Sequence, residues 1–112
     1  MIRWLPLLAA LSGAMAVAAG AFGAHGASGK PAEWLRTGAE YQLLHAVAAL
    51  VVLALVGTRL PAWLFVGGAL VFSGTLYLMA LGAPRWLGAI TPLGGAALIL
   101  GWLSLALAFA RS

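Results

Sequence analysis

The chain has 112 residues, of which 64% are hydrophobic and 7% are charged, with six basic and two acidic side chains. A soluble domain carries roughly a quarter charged residues, so this composition excludes a soluble fold and predicts a protein solvated by lipid. The absence of cysteine excludes disulfides and thiolate metal sites, and the singly scattered cations exclude the clustered charge of a nucleic-acid-binding surface.

The first apolar run predicts a transmembrane helix over residues 4–24. Small residues recur along it at spacings of three and four, which lets another helix approach closely; they are Gly13, Ala16, Gly20 and Ala24. A secretory signal peptide is the alternative, with Arg3 before an apolar core and a cleavage site at residues 16–18. We favour retention, because cleavage would leave only three spans.

A polar segment follows the first helix. Lys30-Pro31 disfavours helix continuation, so residues 31–36 are predicted as a short interfacial helix anchored by Trp34. Thr37 and Glu40 have the spacing of a capping box, in which the threonine caps the helix and the glutamate bonds back to its N–H. The capping box predicts that the second spanning helix begins here and covers residues 38–56.

Two further apolar runs predict helices over residues 61–81 and 92–110. The fourth helix carries a second stripe of small residues, and we expect close packing at Gly94 and Gly101 there, as at Gly13 and Gly20 in the first. Short connections make neighbouring helices antiparallel. The predicted fold is therefore an all-α membrane protein, a single domain over residues 1–112, with four transmembrane helices in an up-down-up-down bundle.

The basic residues divide evenly between the two membrane faces. Arg3, Arg59 and Arg111 are expected on one face, and Lys30, Arg36 and Arg85 on the other. We expect both termini in the cytoplasm, because the opposite face carries both acids and the longer loop.

The segment from His25 to His45 holds both histidines and both acids of the chain. Helical spacing places Tyr41, Gln42 and His45 on one face of the second helix, which is predicted to look into the bundle rather than into lipid. Gln42 needs a hydrogen-bond partner there, and His45 and Tyr77 are the candidates. The residues of possible functional importance are His25, Glu40, Tyr41, Gln42 and His45.

Three functions are compatible with this polar cluster. The favoured one is a structural or accessory membrane component that packs through its glycines against itself or a larger complex in the lipid bilayer. The second is a carrier or channel-like module for a small solute, lipid or proton. The third is a haem or metal binder with His25 and His45 as ligands. No nucleophile with a base and orienting group is present in the sequence, so we expect no enzyme, no catalytic residue and no cofactor.

Three motifs carry a family resemblance, and they follow one another along the chain. They are Gly20-Ala21-Phe22-Gly23-Ala24-His25-Gly26, then Trp34-x-x-Thr37-Gly38-x-x-Tyr41-Gln42-x-x-His45-Ala46, then Gly88-Ala89-Ile90-Thr91-Pro92-Leu93-Gly94-Gly95. Together they resemble the small membrane-protein family of domain of unknown function 423, which includes bacterial inner-membrane proteins and is similar to the eukaryotic transmembrane protein 256. The resemblance implies a multi-pass protein of the bacterial plasma membrane whose biochemical role is not established, and it brings no catalytic or ligand residues.

Overall fold

The computed structural model describes residue 1 and residues 3–112, and this part of the chain is helical, with no strand. The helices are α1 (Trp4–His25), α2 (Gly29–Leu55), α3 (Leu60–Ala80) and α4 (Thr91–Ala110), and a 3₁₀ helix (Arg85–Ala89) precedes α4. All four α-helices are long and apolar enough to cross a membrane. The prediction of an all-helical membrane protein with four such helices is confirmed.

The prediction of a separate interfacial helix at residues 31–36 and a capping box at Thr37 is wrong, because α2 runs without interruption from Gly29. Pro31 lies in the first turn of α2, where no backbone N–H is needed. Thr37 and Glu40 lie inside the helix, so the amide groups they were expected to cap already belong to the helical ladder. The connection between α1 and α2 is reduced to residues 26–28.

Gly38 does not break α2, because α3 holds this part of the helix. Ser73 Oγ donates a hydrogen bond of 2.7 Å to the Gly38 carbonyl. A Cβ at residue 38 would come within 2.6 Å of the Tyr77 ring, so glycine is what allows α3 to approach. Packing between α2 and α3 therefore overrides the local preference of glycine for a helix end.

Each helix packs against its neighbours in sequence, and α1 also touches α3. Along α1 and α2 the facing residues run in opposite directions, since Gly13 lies beside Ala46 and Gly20 beside Ala39. The main core cluster includes Val52 from α2 and Phe65 from α3. Among the spanning helices α3 is the most buried and α4 the least, and the apolar outer face of α4 suits contact with lipid.

Candidate functional site

Gln42 is the centre of a buried polar network that joins three helices. Its side chain is 1% exposed. Gln42 Nε2 donates to Ser12 Oγ of α1 at 3.0 Å, and the Tyr77 hydroxyl of α3 donates to Gln42 Oε1 at 2.7 Å. The second amide hydrogen has Met15 Sδ within reach, at 3.4 Å from the nitrogen. The amide of Gln42 is thus occupied on both its nitrogen and its oxygen.

His45 lies one turn further along α2 and is 3% exposed. Its Nδ1 is 2.6 Å from the Tyr41 carbonyl oxygen, and Trp102 Nε1 lies 3.0 Å from its Nε2. A tryptophan N–H only donates and a carbonyl only accepts, so Nε2 carries no proton and Nδ1 carries one. The geometry therefore assigns a neutral imidazole with both nitrogens occupied.

Aromatic rings surround this imidazole. The ring centroid of Phe65 lies 5.4 Å from that of His45, and the Trp102 ring meets His45 edge-on at 5.8 Å. Tyr41 stacks nearly parallel to His45 and is itself 44% exposed. It borders a groove of about 470 Å³ between α2 and α4, whose other walls are mostly apolar. His45 and Trp102 also line this groove, so the buried imidazole borders it beside Tyr41.

The remaining members of the predicted cluster lie elsewhere. His25 is exposed at the last position of α1, and Glu40 is exposed on α2. Because Gly13 faces Ala46, His45 is level with residue 14 of α1, eleven residues from His25. At helical rise this separates the two histidines by roughly 16 Å along the bundle. The structure brings Tyr41, Gln42 and His45 together and does not bring His25 to them.

These positions do not suit a haem or metal held between the two histidines. Binding at His45 Nε2 would require breaking the bond from Trp102, and binding at Nδ1 would require breaking the bond to Tyr41. Within the described residues, no group of three or more histidine, cysteine or acidic side chains is placed to hold a metal ion.

The four glycines expected to mediate packing fall into two classes. A Cβ at Gly94 would overlap the backbone of Phe72, and one at Gly101 would lie 2.7 Å from the Phe65 ring. A Cβ at Gly20 would meet Ala39 at 3.4 Å and one at Gly13 would meet Ala46 at 3.9 Å, which are ordinary contacts.

Two members of the polar networks were missed by sequence reasoning, namely Ser12 and Trp102. Trp102 lies in the middle of α4, away from the membrane interface where tryptophans usually anchor a helix. A tryptophan at that depth needs a hydrogen-bond acceptor for its N–H, and this requirement is the feature of the sequence that could have indicated Trp102. Tyr77 was one of the two candidate partners of Gln42, and the structure selects it.

Comparisons with known proteins find a matching family model and several similar membrane proteins. The model of a family described as "Protein of unknown function (DUF423)" matches residues 19–95. The chain belongs to this family. It is 43% identical to a UPF0382 membrane protein of Staphylococcus epidermidis, in an alignment that covers 91% of each chain.

Two further relatives have the same character. A UPF0382 membrane protein of Haemophilus influenzae is 44% identical, with 88% of this chain and 87% of the relative covered. A UPF0382 inner membrane protein of Escherichia coli is 36% identical, with 89% and 84% covered. No solved structure matches the chain. The protein is therefore a membrane protein of a family whose biochemical role is not established.

Proposed function

We propose that the protein is a non-catalytic structural or accessory component of the plasma membrane, with four helices crossing the bilayer in up-down-up-down order. The observation that supports this most is the use of its buried polar side chains. The side chains of Gln42 and His45 form hydrogen bonds that join all four helices, and their partners are Ser12, Tyr77 and Trp102. Within the described residues, no buried side-chain nitrogen or oxygen lacks a partner.

The alternative of a carrier or channel-like module is less well supported. A path for a proton or polar solute needs groups that can exchange partners with water or with the solute. The imidazole of His45 and the amide of Gln42 are instead enclosed by α1, α3 and α4. The exposed Tyr41 contacts His45 through its backbone carbonyl and its ring and not through its hydroxyl, and the exposed Glu40 lies outside this network.

Native mass spectrometry of the protein released from gently solubilised membranes tests this proposal. The useful variant is Gln42→Leu combined with Tyr77→Phe, because it removes the amide and the phenol hydroxyl together, keeps side chains of similar shape, and leaves only the Ser12 hydroxyl without its partner. We expect a homo-oligomer or an added polypeptide in the wild type, retained in the double variant. A stoichiometric small molecule in the wild type, lost in the double variant, would contradict the proposal.

We also propose that both termini lie in the cytoplasm. The chain has no cysteine, so a single introduced thiol reports its own side of the membrane. In intact cells a membrane-impermeant maleimide is expected to label Ser28→Cys and to spare Ser112→Cys. The reverse pattern would invert the topology.

A further inference from the structure

A second cavity lies at the opposite end of the bundle from the α1–α2 connection. It is a cleft of about 530 Å³ between the ends of α2 and α4 and the start of α3. Its walls are largely apolar, with Leu55, Leu60 and Leu107 among them. Its rim is polar and includes Thr58, Arg111 and Ser112. The cleft thus combines an apolar interior with a cation at its edge.

The end of the bundle that carries this cleft is basic. Arg3, Arg59 and Arg111 are there, whereas both acidic side chains of the chain belong to the other end. At that other end two of the three cations have local partners. Lys30 Nζ lies 3.8 Å from Glu33 Oε2, and the Arg85 guanidinium lies over the Trp34 ring at 5.9 Å. Positive side-chain charge without opposing acids is therefore concentrated beside the cleft.

We propose that this cleft binds an anionic phospholipid, with an acyl chain against Leu55 and Leu107 and the phosphate beside Arg111 and Arg59. Basic pockets between transmembrane helices are known to receive anionic headgroups. Lipid tails are as apolar as leucine, so an acyl chain gains little by leaving the bilayer for the cleft. The apolar walls of the cleft determine where the acyl chain lies, and the arginines make the site prefer an anionic headgroup.

The test is a titration of delipidated, detergent-solubilised protein with phosphatidylglycerol and with phosphatidylcholine of the same chain length, followed by native mass spectrometry. We expect one phosphatidylglycerol to bind in preference to phosphatidylcholine. Arg59→Gln and Arg111→Gln should each lower that preference roughly fivefold. Arg85→Gln is the matched control at the other end and should leave it unchanged. Equal binding of the two lipids, or an equal loss in Arg85→Gln, would overturn the proposal.

A second variant separates binding in the cleft from adsorption to a charged surface. Ala108 lines the cleft and is only partly exposed, so Ala108→Phe fills the space and leaves every charge in place. Phosphatidylglycerol binding should be lost in this variant while its helical circular dichroism matches the wild type. Undiminished binding would refute the cleft. Displacement of the lipid by millimolar inorganic phosphate would likewise refute a lipid site and indicate a site for free anions.

Discussion

The α1–α2 and α3–α4 interfaces both use stripes of small residues, but the two stripes differ in how closely the partner helix approaches the glycines. In α4, Gly94 lies against the backbone of Phe72 and Gly101 against the ring of Phe65, so neither site has room for a methyl group. In α1, Gly13 and Gly20 face alanines of α2 at distances that a methyl group would satisfy. The α1–α2 interface has a buried hydrogen bond from Gln42 to Ser12 as well.

The difference lies in the partner helix and not in the stripe. α3 brings the Phe72 backbone and the Phe65 ring so close to α4 that only glycine fits, whereas α2 presents alanines to Gly13 and Gly20 of α1. Because lipid provides no hydrophobic drive between helices, close packing and polar contacts must hold both pairs together. We therefore expect the α3–α4 interface to be sensitive to added volume at Gly94 and Gly101, and the α1–α2 interface to be sensitive to loss of the hydrogen bond between Gln42 and Ser12.

The largest expected effect is that of Gly101→Leu. The new side chain would meet Phe65, which is fully buried and cannot move aside, so α4 should fail to pack on α3. Overpacking costs typically 1–3 kcal/mol and on occasion more, and we expect about the upper end of that range. Thermal unfolding in detergent and accumulation in membranes measure this. Normal accumulation with an unchanged melting temperature would contradict the account of this interface.

Gln42→Ala should come next. It leaves the Tyr77 hydroxyl and the Ser12 hydroxyl without their partner, and we expect a loss of about 1–3 kcal/mol. The paired replacement Gln42→Leu with Tyr77→Phe should recover the part of this loss that comes from the side-chain volume and the unpaired Tyr77 hydroxyl, and not the part that comes from Ser12. If the paired variant is as unstable as Gln42→Ala, the lost hydrogen bonds themselves account for the effect, and the volume and the unpaired hydroxyl do not.

His45→Ala is expected to destabilise the bundle and its assembly more than Glu33→Ala. His45 is enclosed by three aromatic rings and bonded at both nitrogens, whereas Glu33 makes one exposed ion pair. Exposed ion pairs contribute about 0–1 kcal/mol. Unfolding in detergent compares the two variants directly. Loss of assembly in Glu33→Ala with an unchanged His45→Ala would reverse the ranking.

Trp102→Phe isolates the single bond from α4 to His45 while keeping an aromatic ring. Hydrogen bonds between membrane helices contribute about 0.6–1.7 kcal/mol, and we expect a loss within that range in the same unfolding assay. A loss as large as that of Gly101→Leu would mean that the ring and not the N–H holds α4.

Gly13→Ala has the smallest expected effect, and its sign is opposite. The methyl group would rest against Ala46 at 3.9 Å, and alanine favours a helix over glycine by roughly 1 kcal/mol. The melting temperature should stay the same or rise. A clear fall would show that α1 and α2 pack as closely as α3 and α4, and the comparison would fail.

Much of the fold could be predicted from the sequence, because a bilayer requires long apolar runs to be helices. The start of α2 could not, because Pro31 and Gly38 each resemble a helix boundary locally. Only the packing of Tyr77 and Ser73 on Gly38 shows that the helix continues.

The polar face of α2 could be predicted from the spacing of Tyr41, Gln42 and His45. Its partners on other helices could not, since they depend on the register between elements that are distant in sequence. Register also separates His25 from His45, which the sequence places near the same membrane face.

Nitrogen NMR of the His45 ring in lipid bilayers tests the central claim most directly. The chain has two histidines, so the His25→Ala variant leaves a single imidazole signal. We expect a neutral ring protonated at Nδ1, with an Nε2 signal that shifts when Trp102→Phe removes its hydrogen-bond donor. A charged imidazolium, or a ring protonated at Nε2, would contradict the packing role of His45. It would instead favour a role for His45 in ligand binding or proton transfer.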